Sequence, residues 1–280
     1  MMRIDAHHHL WQLGQFDYRW LDTEPHAPIR RDFLPADLRP LLDQAGIDGT
    51  VVVQTQHDLA ENAWALALAD AHPWIAGVVG WVDLRSAECE QQLLAARQHP
   101  KFVGVRHVVQ DEPDDFILRP DVARGLATLE RHRVPYDLLF YARQLKHAAT
   151  VAAQFPDLPL VLDHLGKPDV RTGQWDDWAA DLSRAAAFPN VYCKLSGLAT
   201  EAHWDRWHAA DLARYFEFAI EAFGPQRCMY GSDWPVCLLA GNYDAIHQAC
   251  SLVVDRLSET EQAWIWGETA VRFYGLVNED

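Results

Sequence analysis

Short runs of valine, isoleucine, leucine and aromatic residues recur along the chain: RIDA near residue 4, GTVVVQ near 51, WIAGVVGWV near 78, FVGVRHV near 105, PYDLLF near 137, LPLVLD near 161, NVYCKLS near 193 and RCMYGS near 230. Runs this short and this apolar predict strands buried on both faces. Between them lie longer segments with apolar residues three and four apart, which predict helices over 35–45, 61–71, 91–98, 121–132, 144–155, 175–188, 205–223 and 243–257. The first opens on a proline and stops at Gly46, and the second stops before Pro73. Strand then helix, repeated eight times within 280 residues, predicts an α/β fold with a parallel sheet closed into a (β/α)8 TIM barrel, one domain over 1–280. Residues 12–34, with Trp20, Pro25 and Pro28, read as a long loop over the barrel mouth.

Reactive side chains fall where the strands end, which in such a barrel is the face that carries chemistry. The ends carry His7 and His9, Gln54 and Gln56, Trp81 and Asp83, Arg106 and His107, Asp163 and His164, Lys194 and Ser196, and Ser232 and Asp233. Side chains two apart on a strand share a face, so His7 and His9 point together, with Asp5 one step deeper and His8 opposite. Met2 to Ala6 ahead of them makes a leftover purification tag a poor explanation. Imidazoles suit zinc, and His164 with Asp233 would complete three nitrogens and one oxygen; a hydrogen-bonded histidine pair is the plainer alternative.

Charge narrows the partners. Acidic residues outnumber basic ones 40 to 24, a formal −16, so nucleic acid and anionic membranes are repelled and no partner of either kind is expected. Five widely spaced cysteines without a CxxC pair fit a reduced cytoplasm, and no apolar run approaches the ~20 residues of a membrane helix. P-loop, dinucleotide-binding, GxSxG and HExxH patterns are absent from the sequence.

The segments DAHHHLW, GVRHVVQ, LDHLGKP and YGSDWP, in that order and at strand ends, resemble the amidohydrolase superfamily, and within it the amidohydrolase-2 group of sugar lactonases acting on L-fuconolactone or L-rhamnonolactone. The resemblance implies an amidohydrolase-type barrel whose reacting centre is lined by His7, His9, His164 and Asp233. It also implies a small-molecule sugar lactone as substrate, and one divalent metal such as zinc as a candidate on those four residues. Some lactonases of this group work without a metal, so the resemblance leaves the ion open. Binuclear members carry a bridging carboxylated lysine or acid on a middle strand. The fourth and fifth strands read here as offering Arg106 and Tyr141 but no lysine or carboxylate, so a two-metal site is not expected.

Opening a lactone needs an activated water, a stabilised oxyanion and a proton for the leaving alkoxide. Asp233 is the expected base, its pKa raised in a dry rim, with Arg106 facing the carbonyl oxygen and His7, His9 and His164 orienting water or metal. Gln54, Trp81, His107, Trp20 and Tyr141 are the expected substrate contacts. Plainer readings remain: Asp233 as a turn cap, Arg106 as a structural ion-pair partner, Lys167 as a loop charge, Lys194 and Ser196 as polar lining. Decarboxylation on the same barrel and a non-catalytic binding barrel are the competing functions.

Overall fold

The apolar runs form strands because their β-branched residues pack on both faces of the sheet, inward to the barrel axis and outward onto helices. The computed structural model describes residues 2–276; Met1 and 277–280, the ends of the expected 1–280 unit, lie outside them. Strands β1 (Ile4–His8), β2 (Gly49–Val53), β3 (Ile75–Gly80), β4 (Phe102–His107), β5 (Tyr136–Leu138), β6 (Leu160–Leu162), β7 (Val191–Leu195) and β8 (Cys228–Tyr230) pair in chain order. All seven pairings between them are parallel. The barrel closes where the Asp233 N–H donates to the His7 carbonyl at 2.8 Å and the His9 N–H to the Trp234 carbonyl at 2.7 Å.

Helices stand where the pattern places them, with adjusted ends. Pro35–Ala45 coincides with its expectation, whereas 144–155 is two pieces, Ala142–Leu145 and His147–Gln154. The helix expected from 205 begins at Ala209, where Asp211 accepts from the His208 N–H at 2.8 Å. Past the eighth unit lie Glu259–Ala263 and Thr269–Tyr274, which the pattern did not predict. Phe273 and Tyr274 pack with Ile4, Ala6, Val51 and Met229, so this last segment stoppers the barrel interior. The loop over 12–34 is tied down by aromatic edges: Trp11 meets Trp20 at 5.2 Å and Phe33 at 5.3 Å, and Phe33 meets Trp234 at 5.2 Å. Among the described residues no helix is long and apolar enough to cross a membrane.

One expectation for β1 fails. Its register against β2 shifts between Asp5 and His8, and such a bulge reverses the alternation of faces. Asp5 therefore turns away from the histidines' face, its carboxylate accepting from the Tyr243 hydroxyl at 3.0 Å and the Ser232 N–H at 2.9 Å. His8 does face away as expected, bonded to Thr50 at 2.8 Å.

Candidate active site

Closure of β8 onto β1 brings the two ends of the chain to one point. His9 Nδ1 lies 2.7 Å from the Val53 carbonyl, which can only accept, so the proton sits on Nδ1 and Nε2 is bare. That bare nitrogen is 3.2 Å from His7 Nε2 and 3.3 Å from Asp233 Oδ1. The same carboxylate oxygen is 3.7 Å from His7 Nε2 and 3.8 Å from His164 Nε2. Ligand atoms of His7, His164 and Asp233 lie within 4.8 Å of one another, and His9 touches two of the three, His7 and Asp233.

The backbone is forced to make this cluster. His164, Leu165 and Lys167 have φ of 55°, 54° and 50°, Gly166 has 68°, and Asp233 has 57°. Left-handed backbone costs about 1–2 kcal/mol for each non-glycine residue, a strain that persists where packing over-determines it. Gly197 is part of that packing: a Cβ there would stand 2.4 Å from His164 Nδ1. Glycine alone lets the ring settle with Nδ1 2.9 Å from Ser196 Oγ.

Burial lowers the pKa of all three imidazoles, that of His164 to about 4, so they are neutral near pH 7. For Asp233 burial acts upward, but His164 first and then His9 and His7 outweigh it and hold the carboxyl below its usual range. The expectation of a raised Asp233 pKa is thus overturned: its histidine neighbours win over desolvation. An ionised carboxylate facing the bare Nε2 of His9 is repulsive unless a proton or a cation sits between them. Four ligands placed tetrahedrally at about 2.0–2.1 Å from a zinc would lie about 3.3 Å apart. The observed separations of 3.2, 3.3, 3.7 and 3.8 Å lie near that value, and the set whose ligand atoms are all mutually close is His7, His164 and Asp233.

Deeper in the barrel the polar groups are matched. Lys194 Nζ lies 2.5 Å from Asp137, 3.0 Å from Asp163 and 3.1 Å from His7 Nδ1, all of them fully buried. Both Asp137 oxygens accept from the Tyr274 hydroxyl at 2.9 Å. The reading that the fourth and fifth strands lack a carboxylate is corrected by Asp137. β5 is only three residues long, so its acid stands mid-strand inside an apolar run rather than at the end. Arg106 also pairs with Asp163, at 3.3 Å, and its second terminal nitrogen donates to the Gln54 carbonyl. Its Nε–H is buried with no partner among the described residues.

The expected substrate contacts divide. Gln54 donates to the Arg106 carbonyl at 3.0 Å, and His107 is bonded at both ring nitrogens, by Trp81 at 3.2 Å and Glu112 at 3.1 Å. All three are buried and hydrogen-bonded within the chain. The Tyr141 ring lies between Arg143 at 5.0 Å and Lys167 at 5.1 Å, and Lys167 pairs with Glu201 at 3.4 Å. Trp20 does line open space, a cavity of about 430 Å³ shared with Phe16, Asp17, Arg19, Gln56 and His57. His57 went unnoticed in the sequence because it stands past the end of β2, in no motif.

Comparison with known proteins adds a lineage. Residues 4–276 match the family described as Amidohydrolase. An L-fucono-1,5-lactonase of Burkholderia multivorans is 41% identical over 98% of this chain and 96% of that enzyme. The L-fucono-1,5-lactonase of Burkholderia ambifaria is 38% identical over the same shares, 98% and 96%. A crystal structure of an amidohydrolase from Burkholderia multivorans with bound zinc superposes with a TM-score of 0.91 at 39% identity, covering 99% of this chain and all of that one. Decarboxylases of aromatic acids match at 14% identity or below, a likeness of fold alone.

Proposed function

The chain belongs to the amidohydrolase family, and from that premise we propose that it is a sugar lactonase: a single barrel, over 1–280, that opens an L-fucono-1,5-lactone-like ring to the free sugar acid by attack of water on the ester carbonyl. The observation that carries the reading is the convergence of His7, His9, His164 and Asp233 beside Arg106, whose Nη1 lies 3.3 Å from His7 Nε2. The relatives supply the substrate class. The decarboxylase alternative has only fold likeness behind it.

Asp233, ionised at neutral pH, takes a proton from water as the water oxygen bonds to the carbonyl carbon. Arg106 Nε–H faces the oxyanion that forms, a donor of a kind whose loss costs about 3 kcal/mol. When the tetrahedral intermediate collapses, the ring C–O bond breaks and the departing alkoxide takes the proton back from Asp233. His9, fixed by the Val53 carbonyl, and His164, fixed by Ser196, orient the water. A divalent ion such as zinc, held by His7, His9, His164 and Asp233, would supply Lewis-acid polarisation of carbonyl or water. A panel of aldono-1,5- and 1,4-lactones read with a pH indicator tests the proposal. Acid release above the spontaneous rate is expected, whereas no acid release from the lactones, with proton uptake and evolution of carbon dioxide from an aromatic carboxylic acid supplied in their place, would establish the lyase instead.

A further inference from the structure

The mouth cavity is lined by residues with donors that no described residue satisfies. Two of its lining residues, Trp20 and Gln56, carry buried N–H groups, Nε1 and Nε2, with no acceptor among the described residues. A buried donor left unpaired costs about 1–3 kcal/mol, so a turn of either side chain toward an oxygen-bearing ligand in the cavity is favoured. His57 adds a third donor of fixed direction. Its Nε2 accepts from the Val108 N–H at 3.0 Å, which leaves the ring proton on Nδ1, at an exposed edge. One face is stacked on His107 with centroids 3.8 Å apart and planes 23° from parallel. Desolvation of the packed ring, and then His107, lower its pKa to about 3, so it donates as a neutral imidazole.

Although His57, His107 and Glu112 bring potential ligand atoms close together, they do not make a metal site. Nearly parallel rings have in-plane lone pairs that cannot converge on one ion, and both His107 nitrogens are already engaged. The cavity and the reacting centre draw on one stretch of chain. The Val53 carbonyl holds His9 and the Gln54 carbonyl holds Arg106, and Gln56 and His57 follow directly in the chain.

Resting on the lactonase reading, we propose that this cavity receives the hydroxyl-bearing carbons of the sugar lactone, and that His57, through Nδ1–H, is a specificity-determining residue that donates to one of those hydroxyls. Trp20 Nε1 and Gln56 Nε2 serve the neighbouring oxygens, and the Phe16 and Trp20 rings offer an apolar wall to the C–H face of the sugar.

The test compares L-fucono-1,5-lactone with δ-valerolactone, which has the same ring and no hydroxyls, in His57→Phe and His57→Asn. Phenylalanine keeps a ring to stack and loses the N–H; asparagine places an amide N–H near the position of Nδ1. For the sugar lactone His57→Phe is expected to raise KM roughly tenfold with kcat nearly unchanged, the loss of one neutral hydrogen bond. His57→Asn should recover most of that rise, and δ-valerolactone should be indifferent to both. Should His57→Phe fold poorly, Gln56→Leu is expected to give the same split between the two substrates. Equal effects on both lactones, or no effect on either while the wild type turns both over, would overturn this assignment alone. A wild type that opens no lactone removes the proposed function and this inference with it.

Discussion

The rim of the barrel and the layer beneath it use the same kinds of side chain to opposite ends. Below, Asp137 and Asp163 have Lys194, Arg106 and Tyr274 as donors, and the arrangement is complete without any ligand. Above, Asp233 and the bare Nε2 of His9 face each other at 3.3 Å with no donor between them. Matched buried charges specify and hold the fold, whereas facing acceptors are tolerated only because they are put to use. Removing a rim residue should therefore harm activity, and removing one from the layer below should harm the fold.

The largest effect should come from the rim. Asp233→Asn is expected to cut turnover of L-fucono-1,5-lactone by about 10³-fold or more, with a thermal midpoint unchanged or raised because a facing acceptor is lost. A variant that kept its kcat would break the contrast at once. Lys194→Met addresses the layer below. It leaves Asp137 and Asp163 buried with one cation fewer, and denaturant unfolding should show a loss of about 3–5 kcal/mol. An unchanged midpoint would mean that the two layers do not differ as described.

Arg106 belongs to both layers and should show both effects. Arg106→Lys keeps a charge for Asp163 and loses the Nε–H, so kcat is expected to fall about 100-fold while stability moves much less. A smaller effect comes from Glu61, whose carboxylate pins the mouth loop by accepting from the Thr55 and Gln56 N–H groups. Burial raises its pKa from 4.5 to about 7 against those hydrogen bonds. The folded state therefore holds this proton longer than the unfolded chain. Its contribution to stability is fullest below about pH 4.5 and declines by up to about 3 kcal/mol as pH rises to about 7. Unfolding followed across that window should show the decline in the wild type and a flatter profile in Glu61→Gln.

The rim was largely legible in the sequence, since a histidine or aspartate ending an apolar run stands out, and closure of eight units brings such ends together. Asp5 was misplaced because the bulge in β1 leaves no trace in the apolar pattern. Asp137 was hidden inside a three-residue strand, and Tyr274 in a helix beyond the eighth repeat. Direction was the other illegible quantity. Whether Asp233 titrates high or low depends on burial against three imidazoles, and spacing along the chain does not carry those distances.

Convergence at the rim is tested most directly by titrating chelator-treated protein with Zn²⁺ in a calorimeter, wild type beside His164→Ala. One equivalent is expected to bind to the wild type, with binding weakened at least about tenfold by the substitution, the loss of a ligand from the set. No binding by the wild type, or equal binding by the two proteins, would contradict that convergence.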